Sequence, residues 1–207
     1  MPKAMFAVLL VITLLAGTSL IWAQGISDVY WVNYYSNRPT TTVVRADAVI
    51  LDQTVRIINP GEQGSPIAAG HGAVCADIYV FNDDQEMEEC CECLITANGL
   101  LTLSVNNDLT HNPLTGFPPP ANGVIKIISD NRSNCDATSP VPTPDIRAWG
   151  THLQAPSVEA LVTTEDEFLN APLQQDELSF LGQACSFVLF LGSGKGRCTC
   201  GASLEPA

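Results

Sequence analysis

The sequence predicts a mainly β protein: an antiparallel β-sandwich of about seven or eight strands, stapled by disulfides and carrying a C-terminal helix. Three observations carry this reading. Short β-branched and aromatic runs, separated by Gly, Pro and Asn turns, recur from residue 29 to about residue 155. A later stretch has apolar residues at helical spacing. Eight cysteines all lie downstream of an apolar leader. The expected organisation is a signal peptide over 1–23, the sandwich over 24–155, and a helix with a Cys-x-Cys tail over 156–207, packed on the same domain.

The leader opens with one cation, Lys3, continues as an apolar run over 4–16, and passes through Gly17-Thr18-Ser19 to Ala23. That order is the one export machinery reads, with cleavage expected after Ala23. The rival reading is a retained anchor, since 4–23 is just long enough to span a bilayer. Membrane association is expected only in that case.

The first strand is expected over 29–35, where Tyr30, Trp31, Tyr34 and Tyr35 are interleaved with valines, and Asn37-Arg38-Pro39 ends it. The runs 40–44 and 48–51 are further candidates, and 54–58 stops at Asn59-Pro60-Gly61. Residues 75–81 alternate, with Ala76, Ile78 and Val80 on one face. Ala97-Asn98-Gly99 between 91–96 and 100–105 predicts a β-hairpin, because Asn-Gly tolerates positive φ. Leu101, Leu103 and Val105 then share the buried face of its second strand. After the proline-containing loop 106–122 come strands over 124–128 and 146–153. Thr164-Glu165-Asp166-Glu167 reads as a helix capping box, with a second start near Asn170. Leu178, Leu181, Cys185, Val188 and Leu189 form the stripe expected to face the β-body, and Gly192 is the stop.

The cysteines are Cys75, Cys90, Cys91, Cys93, Cys135, Cys185, Cys198 and Cys200, an even set that predicts disulfides in an oxidising compartment. Bridges between adjacent or two-apart residues fit the required geometry poorly. Residues 90–93 are therefore expected to act as a covalent hub reaching distant partners. The alternative is a soft-metal thiolate site built from the same clusters, although the close Cys-Cys-x-Cys spacing is a poor zinc pattern.

Lys and Arg number 9 against 22 Asp and Glu, for a net charge of −13. Binding nucleic acid requires cations that displace counterions from phosphate, so no nucleic-acid partner is expected. No Lys or Arg lies between Arg56 and Lys126, a gap holding nine acids, six of them in 83–92. Carboxylates suit a hard cation, so Asp83, Asp84, Glu86, Glu88 and Glu89 are the candidate calcium ligands. The spacing lacks the EF-hand pattern and its glycine, and a solvated acidic loop is the competing expectation. No other cofactor is expected.

The histidines, His71, His111 and His152, show no ligand spacing and accompany no Gly-x-Ser-x-Gly, so no catalytic residue is named. Each is expected in a turn or at the surface. The Gly-rich run over 192–196 has Arg197 where a phosphate loop needs Ser or Thr, and reads as a helix exit. Asn131-Arg132-Ser133 is a glycosylation sequon, meaningful in a eukaryotic host.

Four segments carry a resemblance: 75–81 (Cys-Ala-Asp-Ile-Tyr-Val-Phe), the Cys-Cys-Glu-Cys-Leu hub, 101–106, and 145–152. Over roughly residues 53–201 the chain resembles uncharacterised exported proteins of soil bacteria. The resemblance implies export and transfers no activity. The functional expectation is a non-catalytic exported sandwich with a structural or interaction role at or outside the cell surface, in the periplasm or extracellular space. Its protein or cell-surface partner is unspecified. A metal-binding module and a hydrolase with an unrecognised site are the alternatives.

Overall fold

The computed structural model describes residues 29–37, 52–62, 72–112, 120–131, 135–157, 160–190 and 195–201. The expected leader, the candidate strands over 40–44 and 48–51, His71, Arg132 and Ser133 of the sequon, and Gly192 fall outside these residues. Among the described residues nine strands form two antiparallel sheets. They are β1 (Tyr30–Ser36), β2 (Thr54–Ile58), β3 (Val74–Asn82), β4 (Met87–Ile95), β5 (Leu100–Ser104), β6 (Asn122–Asp130), β7 (Arg147–Ser157), β8 (Ala160–Glu167) and β9 (Leu169–Asn170). One sheet runs β4-β3-β6-β1-β9 and the other β5-β2-β7-β8. A single helix, α1 (Gln175–Phe190), follows. No helix among the described residues is long and apolar enough to cross a membrane.

The strand period of two builds three layers from this order. Val74, Ala76, Ile78 and Val80 of β3 meet Val55 and Ile57 of β2, Leu103 of β5 and Ala148 of β7 in the core between the sheets. The alternate residues Tyr79 and Phe81 face the other way, against Leu181, Cys185 and Val188 of α1. The predicted helix stripe is thus the buried one, with Leu178 and Leu189 at its margins. Gly182 brings α1 close to segment 135–140: a Cβ there would lie 2.6 Å from the Thr138 carbonyl oxygen.

Three local expectations are corrected. Asn98 does take a positive φ of 61°. However, β4 and β5 do not form a hairpin, because they belong to different sheets. β4 pairs with β3 on one edge and with the C-terminal tail on the other, so β5 crosses the sandwich and pairs with β2. Asn59 pins this corner, its amide donating to the carbonyls of Gly72 and Ile95. The capping box at Thr164 lies inside β8, where Thr164 pairs with His152 of β7. There the exposed edge of β7 takes a partner strand in place of a helix start. β7, β8 and β9 carry the β-body on to Asn170. Finally, the acidic stretch 83–92 is only partly a loop: β4 begins at Met87.

The cysteines pair as Cys75–Cys135, Cys90–Cys185, Cys91–Cys198 and Cys93–Cys200, and none is free. No bridge joins adjacent or two-apart residues, as the geometry argument anticipated. The Cys91–Cys198 bridge closes a loop of 107 residues, a length at which cross-linking removes several kcal/mol of unfolded-chain entropy. Replacing both partners, Cys91→Ser with Cys198→Ser, leaves no odd thiol to mispair. The double variant should lose about 2–5 kcal/mol in a denaturant melt. Parental stability would show that this bridge constrains nothing.

Candidate functional site

β4 gathers most of the unusual chemistry. Adjacent residues on a strand point to opposite faces, so Cys90 reaches α1 while Cys91 and Cys93 reach the tail. The tail lies parallel to β4 at the Cys90–Arg197 bridge. Its backbone is held by Cys90 N–H to the Gly196 carbonyl at 2.9 Å and by Thr199 N–H to the Asp108 carbonyl at 2.8 Å. Asp108 also accepts from Thr199 Oγ1 at 3.0 Å. This acid lies in a single π-helical turn, Val105–Leu109, that follows β5. The tail therefore closes the sandwich edge, touching one sheet through β4 and the other through the turn after β5. Beside it runs a groove of about 380 Å³ lined by Glu92, Asn112, Arg197, Thr199 and the cysteines 91, 198 and 200. Arg197 makes an ion pair with Glu92 at 3.3 Å.

The candidate metal ligands divide between two environments. Asp83, Asp84 and Glu86 are exposed on the β3–β4 turn. Glu88 and Glu89 are buried in β4, where Glu88 accepts from the Asn82 amide and Glu89 from the Asn112 backbone N–H. Among the described residues no three His, Cys, Asp or Glu side chains are placed to hold a metal ion together.

Two buried acids form sites that the sequence did not show: Glu89, named there only as a candidate calcium ligand, and Asp77. Glu89 lies 3.8 Å from the Nδ1 of His111. Burial pushes its carboxyl up to about 7, against the Asn112 hydrogen bond. A carboxyl poised there can exchange protons near neutrality, but its hydrogen bond joins Asn112 to β4, and Asn112 in turn accepts from Gly196 of the tail. Its visible work is to hold the tail. On the helix-facing side, Asp77 of β3 and Asp130 of β6 are both fully buried. Burial, then the charges of Asp130 and Glu92, push Asp77 up to about 8, so it holds its proton at neutral pH. The signal available in the sequence was an acid at position 77 inside an otherwise apolar strand.

His152 corrects the expectation of surface histidines. It is 2% exposed on β7, stacked on Tyr34 with ring centroids 4.2 Å apart. Its Nε2 lies 3.8 Å from Asp166 of β8. Burial lowers its pKa below the usual imidazole value, with the Asp166 carboxylate opposing. Gly150 makes room for this packing, since a Cβ there would meet the Asn33 amide at 3.0 Å. His111 is half-buried beside Glu89.

The raised carboxyls set a pH dependence. Asp77 ordinarily titrates at 3.8 and Glu89 at 4.5, and both bind a proton more tightly in the fold. The folded state then holds more protons than the unfolded chain between those values and about 8 and 7. Stability is therefore fully present below the ordinary values and falls as pH rises through this window. Melts at fixed ionic strength should show the decline, and Asp77→Asn should flatten much of it. Stability rising from about pH 5 to 8 would contradict the protonated assignment.

No family model matches the chain, and no curated protein matches it. Among solved structures, the Anabaena sensory rhodopsin transducer is similar at a TM-score of 0.36 and 15% identity, over 69% of this chain and 98% of that one.

Proposed function

We propose that the protein is an exported, non-catalytic β-sandwich that acts through its surface, in a structural or interaction role outside the cytoplasm. The observation that carries this reading is the placement of the cross-links. Three of the four bridges leave β4, joining it to the helix and the tail, and the fourth ties segment 135–140 to β3. A body locked in this way presents its outer faces in fixed relation without a ligand, and closed disulfides persist where thiols are not kept reduced. The helix adds an outward face bearing Phe180, Phe187 and Phe190, exposed by 49, 66 and 86%. Aromatic side chains exposed together mark contact surfaces on soluble proteins.

Fractionation with thiol labelling tests the reading. Protein from the exported fraction, denatured without reductant, should yield no free thiol. Cytoplasmic retention with two or more labelled cysteines would overturn it. The turn acids are read as solvated. Millimolar calcium against chelator should then leave the melting temperature unchanged at fixed ionic strength. A site filled to about 100 times its Kd would add about 2.7 kcal/mol, a rise that Asp83→Asn with Asp84→Asn would abolish.

A further inference from the structure

We propose that the outward face of α1 docks a second copy of this chain, helix against antiparallel helix, about a two-fold axis. The inference rests on the interaction role proposed above and names its partner. α1 is apolar on two sides. One side is consumed by the sheet, with Leu181, Cys185 and Val188 buried. The other carries Phe180 and Phe187, two turns apart on nearly the same line, and Phe190 one turn further. A helix apolar on both sides is normally covered on both.

The size of the patch fits a contact. The exposures of the three rings amount to about two whole phenylalanine side chains, or about 400 Å² per copy. Two copies would bury about 800 Å² through these rings, below the roughly 1,000 Å² of a stable interface, so the contact is a weak, reversible one in the aromatic class that supplies interface anchors.

Charge selects the partner. With 22 acids against 9 cations, most faces of two copies repel one another. From Leu178 to Phe190 the helix carries no charged residue, so this face can meet itself without bringing carboxylates together. Of the two acids in the first turn, Glu177 is already paired with Lys126 at 2.6 Å and accepts from the Tyr30 hydroxyl at 3.0 Å. Asp176 is exposed on the phenylalanine side, but antiparallel pairing sets the first turns of the two copies at opposite ends of the contact. A bilayer is the weaker occupant. Helices that lie on membranes carry Lys and Arg on their polar face to meet anionic lipid, and α1 has none.

Symmetry then fixes the pairing. In a two-fold contact, residue i meets j and j meets i. An axis between Gln183 and Ala184 sets Phe180 of each copy against Phe187 of the other. Ala184 is small and partly buried, and Gln183 is exposed, so the helices can approach closely at the axis. Phe190 reaches the first turn of the second copy. Phe180 is already braced from behind by Phe81, with ring centroids 6.1 Å apart.

Sedimentation equilibrium on the disulfide-closed protein tests this. The parent should be a dimer at about 100 μM, and Phe187→Glu should weaken the dimer about thirty-fold or more. Gln183→Glu, at an exposed position, should do the same by placing two carboxylates across the axis, and so covers the case in which the first variant fails to fold. A monomeric parent overturns the proposal, as does a dimer unmoved by either variant. A monomer that sediments with anionic or neutral vesicles overturns it in favour of a lipid surface. Those failures leave the export reading standing, because that reading stands or falls on compartment and thiol count.

Discussion

Everything in this fold is registered against β4. Its four-residue cluster, Cys90 to Cys93, works because a strand alternates its side chains. Cys90 bonds to the helix on one face, while Cys91 and Cys93 bond to the tail on the other. A one-residue slip of β4 against β3 would exchange these faces and leave its three bridges pointing at the wrong layer. The covalent pairing and the hydrophobic alternation of β3 therefore specify the same register. The tail also removes an edge: β4 would otherwise end the five-stranded sheet with unpaired backbone groups, and residues 196–198 take hydrogen bonds there.

The second organising feature is how an acid-rich chain houses its carboxylates with so few cations. Several accept from backbone N–H groups at turns instead. Asp130 takes the Val141 N–H at 2.6 Å, Asp108 the Ser104 N–H at 2.7 Å, and Asp52 the Asn106 N–H at 2.9 Å. Each such bond satisfies a donor at a chain reversal and holds two segments together. Asp77 differs, because it keeps its proton and so avoids burying a charge beside Asp130. The cations that exist are placed with economy: Lys126 reaches Glu177 while lying 4.8 Å from the Phe81 ring centre.

The errors of local reading share one cause. Asn98-Gly99 is a strong turn signal, and the turn exists, but whether a turn makes a hairpin depends on which edges are free. The tail had already taken the edge of β4. Thr164 and Glu167 match a capping box over a few residues, yet 160–167 became a strand because β7 offered it a partner edge. The acidic run looked uniform in one dimension, whereas the start of β4 at Met87 separates three exposed acids from two buried ones and the half-buried Glu92. His152 sits in an alternating strand with no sequence neighbour to mark it. Its partners Tyr34 and Asp166 come from β1 and β8, brought together only by the packing of the sheets.

By itself, the sequence determined the fold class, the helix stripe, the alternation of β3 and β5, and the need for the hub cysteines to reach distant partners. These are properties of short segments, because side-chain periodicity and bridge geometry act over a few residues. Only the tertiary structure decided which cysteines pair, which sheet each strand joins, which carboxyls are buried, and which side of the helix stays open. Those outcomes depend on contacts between residues far apart in the chain, where burial and competition for edges set the energy and local propensity does not.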